Sequence, residues 1–113
     1  MTVYAVIGSR GFNDYALLKK ELDKLKITKI ISGGAKGADT LALRYAKENK
    51  IPIIEFKPEY EKYGIKAPLV RNKTIIEKSE AVITFWDGKS RGTAYTINYA
   101  KKNNKQVNII RVS

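Results

Sequence analysis

The stretch "IISGGAKGAD", residues 30–39, begins like a buried strand, then places three glycines within five residues, and then turns helical. Glycine loses more backbone entropy on folding than any other residue, so three glycines this close together indicate that the backbone itself is needed there. A glycine-rich turn that enters a helix offers free N–H groups and the positive end of the helix dipole. The stretch therefore predicts a strand–turn–helix unit whose backbone a phosphate or ribose approaches; a plain tight turn is the alternative.

The same alternation of strand and helix runs through the whole chain. Five β-rich runs predict strands at residues 3–7, 29–32, 51–56, 81–85 and 106–112. Helical patterns follow the first four, beginning near Asp14 and then covering about 36–49, 70–78 and 93–103. Residues 57–69, which hold two prolines and a glycine, are predicted as the one long loop.

Strands separated by helices imply right-handed crossovers and a parallel sheet. The sequence therefore predicts an α/β, Rossmann-like three-layer domain with a parallel five-stranded sheet and helices on both faces. At 113 residues, the chain is long enough for one core, and residues 1–113 are expected to form a single domain.

The composition excludes several classes of chemistry. The chain has no cysteine and no histidine, which excludes disulfides, Cys/His zinc sites and a histidine base. No apolar run is long enough for a membrane span, and no signal peptide is visible at the N-terminus. We therefore expect a cytoplasmic protein with no membrane partner, no metal and no cofactor.

The net charge is strongly positive. The 22 Lys and Arg residues exceed the 11 Asp and Glu residues, which gives a formal charge of +11. Charge of this sign attracts phosphates and polyanions, such as nucleic acid. The alternative is a solvated, lysine-rich surface without a specific partner, because most of the excess is scattered lysine.

Three glycine-bearing turns follow predicted strands: "GSRGF" (8–12), "SGGAKGAD" (32–39) and "WDGKSRGT" (86–93). In parallel sheets, ligands bind beyond the carboxyl ends of the strands, near the point where the strand order reverses. Arg10 could grip a phosphate, Asp39 could accept hydrogen bonds from sugar hydroxyls, and Trp86 could stack on a base or cover the core. Ser9 and Ser32 have no base beside them and are predicted to be turn residues that hydrogen-bond the backbone.

The ordered set "YAVIGSRGF", "ISGGAKGAD", "RN" and "AVITFWDGKSRGT" resembles the SLOG superfamily, and within it the small single-domain YspA-like branch, which is related to the DprA and LOG proteins. The resemblance implies a nucleotide or nucleotide-derived ligand and a homo-oligomer. It also implies that the pocket is lined by Gly8, Ser9, Arg10, Gly33, Gly34, Gly37, Asp39, Arg71, Asn72, Gly92 and Thr93. Four further residues of these turns complete the predicted ligand-binding site: Ala35, Trp86, Asp87 and Gly88.

The third turn departs from the LOG enzymes, which carry PGGxGTxxE. Gly92 and Thr93 match that motif, but Thr96 stands in the place of its glutamate. Because threonine cannot act as a carboxylate base, a LOG-type phosphoribohydrolase reaction is not expected.

Three functions stay open at this point. The first is binding of a nucleotide-derived ligand by a sensor, carrier or sequestering protein. The second is an enzyme that uses Asp39 or Asp87 to act on N-glycosidic or phosphate bonds. The third is DprA-like binding of single-stranded nucleic acid, with stacking on Tyr60, Tyr63 and Trp86.

Overall fold

The computed structural model of the protein describes residues 2–34 and 36–112. Its strands are β1 (Thr2–Gly8), β2 (Ile27–Ser32), β3 (Ile53–Glu55), β4 (Ala81–Trp86) and β5 (Gln106–Arg111). They form one parallel sheet in the order β3-β2-β1-β4-β5. The predicted α/β, Rossmann-like arrangement is confirmed. Because the order reverses between β1 and β4, a crevice is expected beyond the carboxyl ends of these two strands.

The helices form a layer on each face of the sheet. They are α1 (Tyr15–Asp23), α2 (Ala38–Glu48), α3 (Tyr60–Tyr63), α4 (Ala67–Lys78) and α5 (Arg91–Lys102). One core packs α1 and α2 against the side chains of one sheet face, among them Ile83 and Phe85 of β4. The other core packs α4 and α5 against the opposite face, which includes Val82 of β4. Successive strand residues thus alternate between the two cores. None of the helices in the described ranges is long and apolar enough to cross a membrane.

The start of α1 shows how local sequence sets a boundary. Asp14 is the N-cap of α1, as predicted, and its carboxylate accepts a hydrogen bond from the backbone N–H of Leu17 at 3.0 Å. This bond satisfies one of the N–H groups that the first helical turn leaves without a partner.

The prediction of one long loop at residues 57–69 was wrong. The segment forms the short helix α3, a 3₁₀ turn at Gly64–Lys66 and the first residues of α4, which begins at Ala67. Pro68 stands in the first turn of α4. A proline is tolerated there because the N–H it lacks has no partner within the helix, and its fixed φ already suits helical backbone. The prediction treated proline as a helix breaker, whereas it occupies a helix start.

The glycines of the opening stretch have different neighbours from those that the sequence suggested. Gly37 is the N-cap of α2 and has a φ of +80°. A Cβ built on it would collide with the carbonyl oxygens of Ser9 and Arg10. The backbone that comes close to Gly37 is therefore another turn of the same chain, the one that follows β1.

We predict that Gly37→Ala lowers the free energy of unfolding by about 1–3 kcal/mol, because its backbone conformation strains any side chain and the new methyl group meets the turn after β1. Urea denaturation followed by circular dichroism measures the change. Gly11→Ala is the control, since a Cβ at position 11 meets nothing within 4 Å. Equal stability of the two variants would contradict the prediction.

Candidate functional site

A cleft of about 380 Å³ lies at the carboxyl ends of β1 and β4. Its walls come from the turns after β1, β2 and β4, from α4 and from the first half of α5. The residues that line it are Ile7, Gly8, Ser9, Arg10, Gly11, Gly33, Lys36, Asp39, Pro68, Leu69, Arg71, Asn72, Ile75, Asp87, Ser90, Gly92, Thr93 and Thr96. The three glycine-bearing turns therefore meet around one cavity.

Most of the predicted ligand-binding residues line this cleft. They are Gly8, Ser9, Arg10, Gly33, Asp39, Arg71, Asn72, Asp87, Gly92 and Thr93. Four others, Gly34, Gly37, Trp86 and Gly88, are absent from the lining. Ala35 lies outside the described residues.

Trp86 and Gly88 are turned toward β5 rather than toward the cleft. The indole N–H of Trp86 donates to the carbonyl oxygen of Ser90 at 3.1 Å, and the Arg111 guanidinium carbon lies 6.0 Å from the centroid of its ring. A Cβ on Gly88 would collide with the same guanidinium. The geometry thus favours the alternative in which Trp86 covers the fold over the one in which it stacks on a base.

Several lining residues were not predicted. Lys36 and Ser90 belong to the quoted turns, so taking each turn as a whole would have included them. Pro68 and Leu69 were missed because their segment was predicted to be a loop. Thr96 was noted only as the replacement for a glutamate, yet its side chain lines the cleft.

Ser9 joins the turns after β1 and β4. Its side chain is buried, with 3% exposure. Its N–H donates to the carbonyl oxygen of Phe85 at 3.0 Å, and its Oγ accepts from the N–H of Asp87 at 3.1 Å. The Oγ of Ser90 lies 3.2 Å from the same hydroxyl. The prediction that Ser9 is a turn residue bonded to the backbone is confirmed, and its bonds hold two walls of the cleft together.

Asp87 holds the turn that leads into α5. Its Oδ1 accepts hydrogen bonds from the N–H groups of Ser90 and Lys89, both at 2.8 Å. These backbone bonds, that of Ser90 first, lower the pKa of the Asp87 carboxyl below its usual value. A carboxylate stabilised in its charged form is a weaker base. Asp87 therefore stabilises its own turn, as the neighbouring Gly88 indicated, rather than being set up as a base.

A chain of hydrogen bonds crosses the cleft from the turn after β2 to α5. Arg71 donates from Nη1 to the carbonyl oxygen of Gly33 at 2.9 Å and from Nε to Oδ1 of Asn72 at 2.7 Å. The amide of Asn72 then donates to the hydroxyl of Thr96 at 2.9 Å, and that hydroxyl donates to the carbonyl oxygen of Gly92 at 2.9 Å. The side chains at 71, 72 and 96 are thereby fixed in position.

Arg71 is the most buried cation of the cleft. Burial lowers the pKa of its guanidinium, and the positive charge of Arg10 lowers this pKa further. The nearby Asp39 carboxylate and the Tyr60 hydroxyl act in the opposite direction and raise it. The guanidinium passes so close to Gly33 that a Cβ there would lie 2.5 Å from Nη1. A side chain at position 33 would therefore displace the Arg71 guanidinium from its place beside Gly33.

The fold is a Rossmann-like domain with a cleft at the carboxyl ends of β1 and β4, where the strand order reverses. A model of the YspA, cpYpsA-related SLOG family matches residues 2–63. The chain belongs to this family, which confirms the resemblance drawn from the motifs. No curated relative matches the chain.

A solved structure of DNA processing protein A from Helicobacter pylori is similar to this chain, with a TM-score of 0.70 and 25% sequence identity. The similarity covers 98% of this chain and 66% of that one, so this chain spans less than two thirds of the other protein's length. That structure was reported for its unique mode of single-stranded DNA binding.

We predict that Asp87→Asn destabilises the protein at neutral pH and that this effect fades in acid. The folded pKa of Asp87 lies below its unfolded value. Its stabilising contribution is therefore complete above the unfolded pKa of about 3.9 and is lost as the pH falls through the folded pKa. Urea denaturation of both proteins from pH 7 to pH 3 tests this; a difference that stays constant across that range would contradict it.

Proposed function

We propose that the cleft binds a nucleotide or a nucleotide-derived small molecule, and that the protein serves as a sensor, a carrier or a sequestering protein for it. The observation that carries the proposal is the open first turn of α5. Gly92 lines the cleft, and a Cβ on it would meet nothing within 4 Å. Unlike Gly37 and Gly33, this glycine is not required by any neighbouring group of the chain, and the space beside it is free for a ligand.

The start of α5 suits an anion. The N–H groups of the first helical turn have no acceptor within the helix, and the helix dipole is positive at this end. Thr93 and Ser90 line the cleft beside Gly92 and bring hydroxyl groups to the same place. A phosphate bound there would receive hydrogen bonds from the backbone and from the Thr93 hydroxyl, whereas the Ser90 hydroxyl already donates to Ser9 or to Asp87.

The charged side chains of the cleft favour the same ligand. Three cations, Arg10, Lys36 and Arg71, line it together with two carboxylates, Asp39 and Asp87. The Asp87 carboxylate already accepts hydrogen bonds from its own turn. The cations thus exceed the acids, and a guanidinium can bind phosphate through two parallel hydrogen bonds.

The size and the apolar part of the cleft fit one nucleotide. The volume of about 380 Å³ falls at the small end of the range for ligand pockets, roughly 300–1,000 Å³. Pro68, Leu69 and Ile75 line it from α4 and supply apolar surface for a base or the face of a ribose.

We propose binding without bond cleavage. The carboxylate of Asp87 is held by backbone N–H groups, and the hydroxyl of Thr96 is bonded to Asn72 and Gly92. Neither group is arranged to activate a water molecule or to stabilise a cationic sugar.

A second candidate is that the cleft binds part of a single-stranded nucleic acid. The similarity to DNA processing protein A favours it, because that structure was reported for single-stranded DNA binding and the similarity covers nearly all of this chain. Tyr60, with 58% exposure, belongs to α3, which contacts α4, and α4 lines the cleft. The strand candidate predicts a steep loss of affinity with salt, which a single nucleotide would not show.

The proposal is tested by a thermal-shift screen with nucleoside monophosphates, diphosphates, cyclic nucleotides, dinucleotides and ADP-ribose. A ligand at 100 times its Kd should stabilise the protein by about 2.7 kcal/mol. We predict that Gly92→Leu abolishes this shift while the stability of the ligand-free protein changes little, because the new side chain enters open space at the cleft.

Asn98→Leu is the matched control, since it adds the same side chain to an exposed position of α5 outside the lining. This control should keep the shift. Normal ligand binding by Gly92→Leu would show that the first turn of α5 does not form the site, and the absence of any stabilising nucleotide would overturn the proposal.

A further inference from the structure

The positive charge of the chain is concentrated in the helical layer of α4 and α5. Residues 66–79 and 89–105, which form this layer and its flanks, contain nine lysines and arginines and one carboxylate, Glu77, so they carry +8 of the formal net charge of +11. Residues 14–26 and 36–50, which form the α1 and α2 layer, contain eight cations and five carboxylates, or +3. The two layers hold seven lysines each, and the excess of positive charge falls on the α4 and α5 side because that layer has one carboxylate and the other has five.

Within the described ranges, the exposed cations of the α4 and α5 layer form no ion pair. Three ion pairs occur in the described ranges, and all of them lie between residues 19 and 48. Two cations of the α4 and α5 layer have internal roles: Arg71 lies in the cleft, and Lys105 donates to the carbonyl oxygen of Ser79 at 2.8 Å. Six others are exposed: Lys66, Lys78, Lys89, Arg91, Lys101 and Lys102.

Two tyrosines of α5 stand among these cations. The Nζ of Lys73 lies 5.9 Å from the ring centroid of Tyr95 and 5.6 Å from that of Tyr99. The hydroxyl of Tyr99 donates to Glu77 at 2.6 Å, which fixes this ring and engages the only carboxylate of the layer. Tyr95 is 38% exposed, although aromatic side chains normally bury their rings.

The spacing along α5 arranges these groups in a row. Arg91, Tyr95, Tyr99 and Lys102 recur at i, i+4, i+8 and i+11, which places them on one face of the helix over about 16 Å. Cations that follow a phosphate backbone, together with aromatic rings on which bases stack, are the means by which proteins hold single strands without reading their sequence.

We propose that the outer face of α4 and α5 binds single-stranded nucleic acid, with the exposed lysines and arginines at its phosphates and Tyr95 under a base; Tyr99, which packs against the core, supports this face from below. This face is separate from the cleft, and the proposal does not depend on what the cleft binds. A base-paired duplex would bind less well, because its bases are already stacked on one another.

The test measures the binding of a fluorescein-labelled oligothymidine of 20 nucleotides by fluorescence anisotropy at several KCl concentrations. The variant Lys73→Gln/Lys101→Gln/Lys102→Gln removes three cations of the face. It should lose at least tenfold in affinity at 100 mM KCl. The slope of log affinity against log salt should fall by about 2, because each phosphate of a single strand that a cation neutralises adds about 0.7 to that slope.

The matched control is Lys20→Gln/Lys26→Gln/Lys47→Gln, which removes the same charge from exposed positions of the opposite layer. It should keep its affinity within about twofold. Equal losses in both variants would show that only net charge matters, and an unchanged affinity of the first variant would show that the strand binds elsewhere. Either result overturns the proposal.

Stacking is tested separately with Tyr95→Leu, which keeps an apolar side chain but removes the ring. Affinity for the oligothymidine should fall about fivefold or more, whereas competition by inorganic polyphosphate, which has no bases, should stay as in the wild type. A variant that binds both ligands normally would rule out stacking at this face.

Three further outcomes would replace the proposal with another. A larger loss of oligothymidine binding in Arg10→Gln than in the triple variant would assign the strand to the cleft, because Arg10 lines the cleft. A dimer in sedimentation velocity that dissociates only in the triple variant would make the face an interface between two copies. Binding to vesicles of anionic lipid without binding to the oligothymidine would make it a membrane surface.

Discussion

The hydrogen bonds of Ser9 are the constraint on which the candidate site depends. At the point where the strand order reverses, the connections from β1 and β4 leave toward opposite faces of the sheet, and the paired part of these two strands ends at Gly8 and Phe85. Ser9 bridges them through Phe85, Asp87 and Ser90, and its carbonyl oxygen packs against Gly37 at the start of α2. One small buried residue therefore connects three walls of the cleft, and a larger side chain at position 9 has no room there.

The polar side chains of the cleft are preorganised for binding. The bonds from Arg71 through Asn72 and Thr96 to Gly92 hold the polar side chains of the cleft in place without a ligand. A binding site whose side chains are already ordered loses less entropy when it is filled. The cleft thus combines fixed donors on one side with an open helix terminus at Gly92 on the other.

Much of this fold follows from the sequence because its signals are local. Short β-rich runs predicted the five strands, and the glycine-bearing turns predicted that a cavity would lie at the carboxyl ends of the strands. The failures came from contacts between distant residues. The Arg111 side chain lies against Trp86 and Gly88, and it comes near them only because β5 pairs with β4. The early start of α4 was missed because proline has opposite effects in the first turn and in the interior of a helix. The net charge of each helical layer depends on which face of the sheet each helix packs against. The spacing of residues along the sequence does not reveal that face.

The unequal charge of the two helical layers also affects how the protein meets other molecules. The unequal charges of the two layers, +8 for α4 and α5 and +3 for α1 and α2, give the molecule an electric dipole moment directed through the sheet toward the α4 and α5 layer. In the field of a polyanion, such a dipole experiences a torque, so the protein rotates during its approach and arrives with α4 and α5 leading. The orientation acts over about one Debye length, roughly 8 Å at physiological ionic strength. For the proposed nucleic-acid ligand, this rotation would make encounters through α4 and α5 more frequent than random tumbling allows, even before any contact forms.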